Sequence, residues 1–377
     1  MELIELGTLL KIEKGKKPLS QSAECCDGML PYVDIQAFEK GEISSYTDGE
    51  KCLSCEDGDI LIVCDGSRSG LVGKAIKGYV GSTLAKISAE GLINEYLYYF
   101  VQGKYALLNT NKKGTGTPHL KAELLKAQKL IVPSLEKQKG IVSRIEELLS
   151  QLDDGVETLK KTKEQLKVYR QAVLQDAFKN CDEKILIRDI CEHVTDGDHM
   201  PPPKTNEGIP FIMISNIENN RINWNGTAFV GNEYFEAIDS KRKPQKGDIL
   251  YTVTGSFGIP VLVDFEKEFC FQRHIALLRP NDRILQKYFY YALQAPDVFA
   301  QASRGATGTA QKTVGLGVLR KIIIPYVDSL EKQNEIATEI ENRMSVCDYI
   351  EQTVNNALLQ AEALRQSILK KAFEGEL

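Results

Sequence analysis

The sequence lacks long apolar runs, a regular spacing of cysteines and an excess of basic residues. No stretch approaches the roughly 20 uncharged apolar residues of a membrane span, and residues 1–17 alternate Glu and Lys with apolar residues, unlike a signal peptide. Nine cysteines in 377 residues follow no regular spacing, which argues against a disulfide framework. We therefore expect a cytoplasmic protein with no membrane contact and with mostly reduced thiols.

The overall charge does not suggest a nucleic-acid binder. The chain has 47 Lys and Arg against 52 Asp and Glu, a formal net charge of -5, whereas binding to a polyanion requires a positive surface. The last 55 residues hold 5 basic and 10 acidic residues and thus account for the whole acidic excess. The preceding 322 residues are neutral overall, so a basic face there is compatible with the composition.

The chain contains an internal repeat. The sequence SLEKQ at residues 134–138 recurs 195 positions later at 329–333, and the pattern RQ-x-(V/I)-L-x-x-AF at 170–178 recurs at the same offset. Earlier landmarks, such as the GDIL sequences at 58–61 and 247–250, match more weakly but in the same order. The repeat predicts a tandem duplication of a globular segment and a long helix. The predicted segments are 1–130, 131–180, 181–322 and 323–377.

Each conserved segment carries a heptad stripe of apolar residues, which is typical of a coiled coil. Ser134 and Ser329 are plausible helix starts, and each helix of about 45 residues would be roughly 65 Å long. Because such a helix needs a partner for its apolar stripe, we expect the two to pack together, antiparallel, with the globular segments at opposite ends. The predicted seam consists of Ile145, Leu149, Leu152, Val156, Leu159, Leu166 and Val173 in the first helix and Ile340, Met344, Val354, Leu358 and Ile368 in the second.

The globular segments combine short strands, Gly/Asp turns and aromatic-rich helices, which indicates the α+β class with mixed sheets. The predicted strands lie within 28–35, 60–64, 209–217 and 249–254, and the predicted aromatic helices cover 94–107 and 285–299.

The sequence shows no nucleotide site. The glycine-rich run at 66–75 departs from the phosphate-loop pattern, because Arg68 stands where that pattern needs glycine and Ala75 where it needs a hydroxyl. We interpret this run as a turn between strands. No GxGxxG sequence opens a helix after a strand, so the signal of a dinucleotide fold is missing as well.

The sequence signals for metal ligands and catalytic groups are equally weak. The CxxC pair at 52–55 has only residues 25–26 as a plausible second pair, whereas zinc sites usually need two well-spaced pairs. Two His and two Asp within 193–199 lie beside a proline-rich turn, where such residues commonly cap the backbone. We predict no metal site and no catalytic residues.

Recognition remains as the function, with basic residues in predicted loops as its candidates. Lys side chains and backbone N–H groups would contact phosphates, whereas Arg and His could read base edges in the major groove. Solvated surface charge is the simpler interpretation of any single one of them. The DNA-binding candidates are Arg68, Lys74, Lys112, Lys113, His119, Lys121, Lys204, Arg221, Lys241, Arg242, Lys243, Arg273, His274, Arg304 and Lys312.

Two divergent globular segments, each followed by a nearly identical long helix introduced by (I/V)P and SLEKQ, resemble the specificity (S) subunit of type I restriction-modification enzymes. The resemblance spans the whole chain and rests on the proline-linked SLEKQ sequences, the GDIL turns and the closing RQ…AF patterns, in that order. It implies that the globular segments are target recognition domains, each reading one half of an asymmetric bipartite site in double-stranded DNA.

The same resemblance implies partners and cofactors. The helices would act as a spacer and as the docking surface for two methyltransferase (M) subunits, which bind S-adenosylmethionine and methylate adenine at N6. Restriction (R) subunits, which use ATP with Mg²⁺, would join them. The S subunit itself is not catalytic and binds no cofactor. One departure is Glu351, which stands where the first helix has Val156.

Two alternatives stay open at this point. A recognition subunit of a related type IIB system would show the same repeat, with a partner that both methylates and cuts DNA. A coiled-coil scaffold with two protein-binding globular segments and no DNA affinity would fit the acidic balance, although diverged globular segments on preserved helices disfavour it.

Overall fold

The structure is a computed structural model that describes residues 3–112, 118–181, 183–200, 202–309 and 311–376. It divides into two compact units. Unit 1 comprises Met1–Leu159 with Asn355–Leu377, and unit 2 comprises Lys160–Val354. Each unit therefore contains one globular head and part of both long helices. We call residues 3–131 head 1 and residues 183–326 head 2.

Head 1 is built on two small four-stranded sheets. The first is antiparallel and orders its strands as Leu10–Lys14, Leu84–Ala89, Ile60–Val63 and Val72–Lys74. The second is mixed and orders them as Tyr46–Thr47, Leu30–Val33, Gly78–Val80 and Ser54–Cys55. An antiparallel ribbon of Leu3–Glu5 and Lys129–Ile131 joins the two ends of the head.

Head 2 repeats the antiparallel sheet strand for strand and three strands of the mixed sheet, whose fourth strand lies at the opposite edge. Its antiparallel sheet orders Cys191–Asp196, Ile275–Pro280, Ile249–Thr252 and Pro260–Leu262. Its mixed sheet orders Lys204–Thr205, Ala228–Val230, Ile209–Ile212 and Cys270–Phe271. The closing ribbon pairs Glu183–Leu186 with Ile323–Tyr326. An additional hairpin of Ile217–Glu218 and Arg221–Ile222 belongs to head 2.

The helices are short in the heads and long in the repeated segments. We call Leu135–Phe178 long helix 1, Leu330–Glu374 long helix 2, Asn94–Gln102 tyrosine helix 1 and Gln286–Ala292 tyrosine helix 2. None of the helices within the described ranges has the length and apolarity needed to cross a membrane. The other helices are Ile35–Lys40, Tyr105–Thr110, Ala122–Lys126, Ile187–Ile190, Asn232–Ala237, Pro296–Gly305 and Leu316–Leu319, and the 3-10 turns are Leu6–Thr8, Ile214–Asn216 and Ser240–Arg242.

The GDIL turns start the central strand of each head, as predicted. Gly58 and Gly247 have φ angles of 83° and 97°, which glycine adopts without the strain of a side chain. The strands that follow, Ile60–Val63 and Ile249–Thr252, are buried along their whole length. The turn aspartates add an ion pair to the neighbouring strand, from Lys86 to Asp59 at 2.5 Å and from Arg279 to Asp248 at 2.8 Å.

All four predicted strand ranges extend past the observed strands, and two of them include the start of a following helix or turn. The strand predicted within 28–35 ends at Val33, because Asp34 caps the following helix by accepting hydrogen bonds from Gln36 N and Ala37 N, both at 2.9 Å. The strand predicted within 209–217 ends at Ile212 and continues as a 3-10 turn. Apolar alternation alone does not reveal where such a cap interrupts the strand.

The two predicted aromatic helices are each interrupted, which corrects the ranges 94–107 and 285–299. Tyrosine helix 1 ends at Gly103, and a second helix begins at Tyr105. Tyrosine helix 2 ends before Pro296, which occupies the first turn of the next helix. Proline fits a helix start but disfavours helical geometry in the residue before it, so the chain bends there.

The long helices pair antiparallel within each unit. In unit 1, Arg365 of long helix 2 forms an ion pair with Asp153 of long helix 1. In unit 2, Arg170 of long helix 1 binds Asp348 at 2.6 Å, which is the same contact 195 residues away. Arg170 also binds Glu351 at 3.0 Å. Glu351, which stands where the first helix has Val156, therefore forms an ion pair with the other long helix.

The predicted seam residues are all shielded from solvent to some extent. The fully buried ones are Ile145, Leu149, Leu166, Val173, Ile340, Val354 and Ile368, and the partly buried ones are Leu152, Val156, Leu159, Met344 and Leu358. Ser329 caps long helix 2 by accepting a hydrogen bond from Lys332 N at 3.2 Å. The apolar stripe therefore provides the packing that a long isolated helix lacks.

A buried glutamine joins each head to its helix. The side chain of Gln138 accepts from Ile93 N at 2.9 Å and donates to Gly91 O at 2.7 Å and Pro133 O at 3.0 Å. Gln333 repeats this arrangement in unit 2 with the backbone of Leu285, Arg283 and Val327. These residues are the last letter of the SLEKQ repeat, and both side chains are fully buried.

An aromatic residue near the end of a long helix packs against each tyrosine helix. In both units it comes from the long helix that does not directly follow the head in the chain. In unit 1, the ring of Phe373 lies edge-on to Tyr96 and Phe100, with centroid distances of 4.9 and 5.2 Å. In unit 2, Phe178 packs edge-on against Tyr288 at 5.5 Å. The repeated RQ…AF patterns are therefore explained by head-to-helix packing.

Candidate nucleic-acid interface

In head 1, a rigid loop at residues 65–69 presents the candidate basic residues. It follows the buried strand Ile60–Val63 and leads into Val72–Lys74, which confirms the predicted turn between strands. Ser69 is fully buried, and its hydroxyl lies within 3.2 Å of three carbonyl oxygens, those of Cys64, Gly66 and Pro118. The loop is thus fixed from inside, while the residues at its tip are exposed.

Three of the predicted residues meet at this loop. Lys112 Nζ donates to Ser67 O at 2.7 Å, and His119 Nδ1 lies 2.6 Å from Asp65 Oδ1. Arg68 is exposed and forms an ion pair with Glu39. The structure therefore brings Arg68, Lys112 and His119 together on one surface of head 1.

Lys14 belongs to the same surface and is not among the predicted residues. Its Nζ donates to Asp65 Oδ2 at 2.9 Å, and this hydrogen bond raises the pKa of Lys14. Desolvation would raise the pKa of Asp65, but the hydrogen bonds from Lys14 and His119 outweigh it, and the pKa is lowered. Asp65 is therefore ionised at neutral pH and holds two basic side chains at the loop.

The remaining candidates of head 1 lie elsewhere. Lys74 Nζ lies 5.8 Å from the ring centroid of Tyr98, in a cation–π arrangement. Lys121 precedes the helix Ala122–Lys126. Lys113 lies outside the described residues.

In head 2, a second cluster surrounds the loop at 196–199, which follows the edge strand Cys191–Asp196. Arg242 donates from Nε to Asp196 O at 2.9 Å and from Nη2 to Gly197 O, and it lies 3.5 Å from Asp198. Its guanidinium is thus used to hold the loop in place. Because Arg242 is engaged in this way, we assign it a positioning role in the loop.

Two basic residues next to that loop, Lys241 and Arg273, have exposed side chains. Lys241 is exposed and anchored through its carbonyl, which accepts from Thr195 Oγ1 at 3.4 Å. Arg273 is exposed, and its backbone N donates to Asp198 O at 3.1 Å. Within the described ranges, neither side chain forms a hydrogen bond or an ion pair, so both are available to a ligand.

The other candidates of head 2 are dispersed. Lys243 covers the ring of Phe235 at 4.8 Å, and half-buried His274 accepts from Val253 N through its carbonyl. Lys312 O accepts from Gly255 N at 2.9 Å, which places this residue beside the loop at 254–256. Arg304 lies in the last turn of the helix Pro296–Gly305.

Two predicted residues are separate from these loops. Lys204 is exposed on the edge strand Lys204–Thr205. Arg221 lies on the extra hairpin, close enough to Tyr290 of tyrosine helix 2 that its charge opposes the rise in the pKa of that tyrosine, which is caused mainly by burial.

The described residues offer little for catalysis. All nine cysteines are free thiols, and burial raises the pKa of Cys55 and of Cys64 to about 11, so these thiols are protonated and unreactive at neutral pH. No group of three or more potential metal ligands occurs among the residues that the structure describes.

Comparison with known proteins agrees with this architecture. The model of the type I restriction modification DNA specificity domain matches the chain twice, over residues 1–168 and 183–360. The type I restriction enzyme MjaVIII specificity subunit of Methanocaldococcus jannaschii is 25% identical over 404 aligned positions that cover 100% of this chain and 92% of the relative. The EcoBI specificity subunit of Escherichia coli is 27% identical over 385 positions that cover 92% and 80%.

Solved structures share the fold. A structure that addresses complex assembly and conformational transition of the type I R-M system superposes with a TM-score of 0.78 at 18% identity, covering 100% of this chain and 98% of the other. The crystal structure of the HsdS subunit from Thermoanaerobacter tengcongensis gives 0.56 at 18% identity, with 100% and 97% covered. These matches do not favour the type IIB or scaffold alternatives. With both halves matched by the family model, the chain belongs to the type I restriction-modification DNA specificity family.

Proposed function

We propose that this chain is the non-catalytic DNA-recognition subunit of a type I restriction-modification complex. Each head reads one half of an asymmetric bipartite DNA site. The long helices set the distance between the half-sites and dock the methyltransferase subunits.

One observation carries this proposal: the two heads share a frame but differ in the residues that the frame presents. The loop after the central strand reads Asp-Gly-Ser-Arg at 65–68 and Thr-Gly-Ser-Phe at 254–257. Gly15 and Gly197 follow the equivalent edge strands of the two heads, and the residue before Gly15 is a lysine whereas the one before Gly197 is an aspartate. Different donors and acceptors at equivalent positions would select different base pairs, which makes the complete site asymmetric.

The frame is kept constant by close packing at the same points. A Cβ atom on Gly15 would lie 2.3 Å from Gly81 O, and one on Gly197 would lie 2.1 Å from Phe271 O. Neither position tolerates a side chain without movement of the backbone. The loops can therefore vary in sequence while the backbone path that supports them is retained.

The side chains suit the two kinds of contact that DNA recognition needs. Exposed Lys241, Arg273 and Lys312 are available for phosphates, which fix the position of a protein on the duplex. Arg68 lies exposed at the tip of a rigid loop, and its guanidinium could exchange the ion pair with Glu39 for the major-groove edge of guanine. The residues around it, Lys112 and His119, would support that loop at the DNA surface.

The chemistry of the complex belongs to the partners in this proposal. Two methyltransferase subunits would bind S-adenosylmethionine and methylate adenine at N6, and restriction subunits would use ATP and Mg²⁺. This chain would determine the DNA sequence at which the reaction takes place.

The experiment that tests the proposal is methylation mapping. The chain and its methyltransferase subunit are produced together in a host without DNA methylation, and N6-methyladenine is mapped across the genome. We expect one bipartite asymmetric motif that disappears when the chain is omitted. Motif methylation by the methyltransferase subunit alone, or none from a soluble complex, would contradict the proposal.

A further inference from the structure

A polar groove in unit 1 is not used by the DNA-facing loops. It has a volume of about 360 Å³ and lies between tyrosine helix 1 and both long helices. Its polar lining includes Tyr98, Tyr99, Gln102, Glu146, Asp153, Asp154 and Arg365.

The groove carries more acidic than basic side chains among the residues that the structure describes. Its lining includes Glu146, Asp153 and Asp154, against the single cation Arg365, which is already paired with Asp153. The hydroxyl of Tyr99 donates to Glu146 at 3.4 Å. Burial raises the pKa of Tyr99, and the charges of Glu146 and Glu95 raise it further, so both glutamates act on this tyrosine.

A buried oxygen atom of Gln102 also indicates that this groove accepts a hydrogen-bond donor. The Oε1 atom of Gln102 is shielded from solvent and has no hydrogen-bond partner in the part of the chain that the structure describes. The amide nitrogen of Gln102 is used, because it donates to the hydroxyl of Tyr98 at 3.2 Å. A buried acceptor without a donor is costly, so a donor at this place would be stabilising.

The internal repeat shows which kind of group fits such a site. In unit 2, the counterpart of Glu146 is Glu341, and Lys287 Nζ donates to both of its carboxylate oxygens at 2.9 and 2.8 Å. Lys287 is equivalent to Glu95 at the offset of 192 residues that relates the tyrosine helices. Unit 2 thus supplies its own cation where unit 1 has a second acid.

The other cations of the two sites correspond and do not remove this difference. Arg170 binds Asp348 in unit 2 as Arg365 binds Asp153 in unit 1. Lys74 lies over Tyr98 in unit 1, and Arg221 lies near its counterpart Tyr290 in unit 2. Because unit 1 has Glu95 where unit 2 has Lys287, Glu146 forms no ion pair with any residue in the described ranges.

We propose that the groove of unit 1 receives a lysine or arginine side chain of a methyltransferase subunit, in the position that Lys287 fills in unit 2. This inference rests on the proposed function, because it names the contact through which one partner docks. Glu146 and Glu95 provide the counter-charge, and the tyrosine rings flank a cation favourably. The two halves of the chain then hold their partners with unequal strength, and the contact in unit 1 depends on the partner's cation.

Isothermal titration calorimetry on the full-length chain tests this contact, with the purified methyltransferase subunit as the titrant. Glu95→Lys gives unit 1 the residue that unit 2 already carries. We expect it to weaken one of the two binding events at least tenfold and leave the other unchanged. Glu146→Gln, which preserves size, should weaken the same event. Glu90→Lys is the matched control, because it makes the same charge change at an exposed position in unit 1 outside the groove.

The outcomes separate this inference from the proposed function. If Glu95→Lys and Glu146→Gln both bind two partner subunits as the wild type does, or if Glu90→Lys weakens binding as much as they do, the groove is not the contact and only this inference fails. A wild-type chain that binds no methyltransferase subunit overturns the inference and the proposed function together. If Glu95→Lys does not fold, as judged by circular dichroism, the result for Glu146→Gln decides.

Discussion

At the scale of single residues, the most consequential side chains of the frame are two buried glutamines that look unremarkable in the sequence. Glutamine is usually exposed, so its type gives no reason to expect burial. The signal that was available is the repeat itself, because Gln138 and Gln333 end the two SLEKQ sequences. Lys14 left no comparable signal, since its contact with Asp65 depends on a strand end meeting a loop 51 residues away.

Removal of the Gln138 side chain should loosen the joint between head 1 and long helix 1. Gln138→Ala leaves the N–H of Ile93 and the carbonyl oxygens of Gly91 and Pro133 without their partner. Each buried unsatisfied group costs about 1–3 kcal/mol, so we expect roughly 2–4 kcal/mol in local stability. Hydrogen exchange at the Ile93 amide measures it directly. Lys137→Ala, at an exposed neighbour, is the control, and equal exchange in both variants would contradict the assigned role.

The contact between Lys14 and Asp65 should be visible in a pH titration. Because the pKa of Asp65 is lowered, its contribution to stability is present above its ordinary value of 3.8 and is lost as the pH falls through the folded value. Because the pKa of Lys14 is raised, its contribution is present below 10.5 and is lost as the pH rises through the folded value. The contact is therefore intact across the neutral range.

Asp65→Asn tests this assignment. NMR titration of the Lys14 side chain should show deprotonation above pH 10.5 in the wild type and a shift towards 10.5 in the variant. Glu39→Gln, which removes the partner of Arg68 on the same surface, should leave the Lys14 titration unchanged. An identical Lys14 titration in the wild type and in Asp65→Asn would show that the two side chains are not in contact.

At the scale of elements, the long helices are predictable and the heads are less so. A stripe of apolar residues sustained over about five heptads predicts both the helix and the face that packs against a partner, which is why the seam residues could be named. The aromatic helices are different, because a single Gly103 or Pro296 breaks them and the aromatic pattern continues past the break. The sheet order was not predictable either, since pairing between distant strands leaves no local pattern.

The length of the long helices should determine the spacing of the DNA site. Inserting seven residues into both long helices at matching points lengthens the pair by about 10 Å, or roughly three base pairs at 3.4 Å each, and nearly preserves the seam. Methylation mapping should then report a spacer that is longer by about three base pairs. An unchanged spacer would contradict the role of the helices as a ruler.

A five-residue insertion at the same points is the control for that experiment. It turns the apolar stripe by about 140°, so the seam should no longer match and methylation should be lost. Retained methylation with the five-residue insertion would mean that the helices do not need their packing to place the heads.

At the scale of the whole molecule, the internal repeat alone predicts the order of globular segment, long helix, globular segment and long helix. The candidate site was only partly readable. Arg68, Lys112 and His119 meet at one loop, whereas Arg221 lies on a separate hairpin and the guanidinium of Arg242 holds a loop in place. Charge and loop position are visible in a sequence, but the direction of each loop is set by the strands that support it.

The most direct test of the account replaces head 2 by a second copy of head 1. The closing ribbons Leu3–Glu5 with Lys129–Ile131 and Glu183–Leu186 with Ile323–Tyr326 are equivalent, so the exchange joins the chain at matching points. The chain then carries two identical heads on the antiparallel helices. Mapping of N6-methyladenine should reveal a palindromic motif made of two inverted copies of the half-site read by head 1. An unchanged asymmetric motif would contradict the assignment of one half-site to each head.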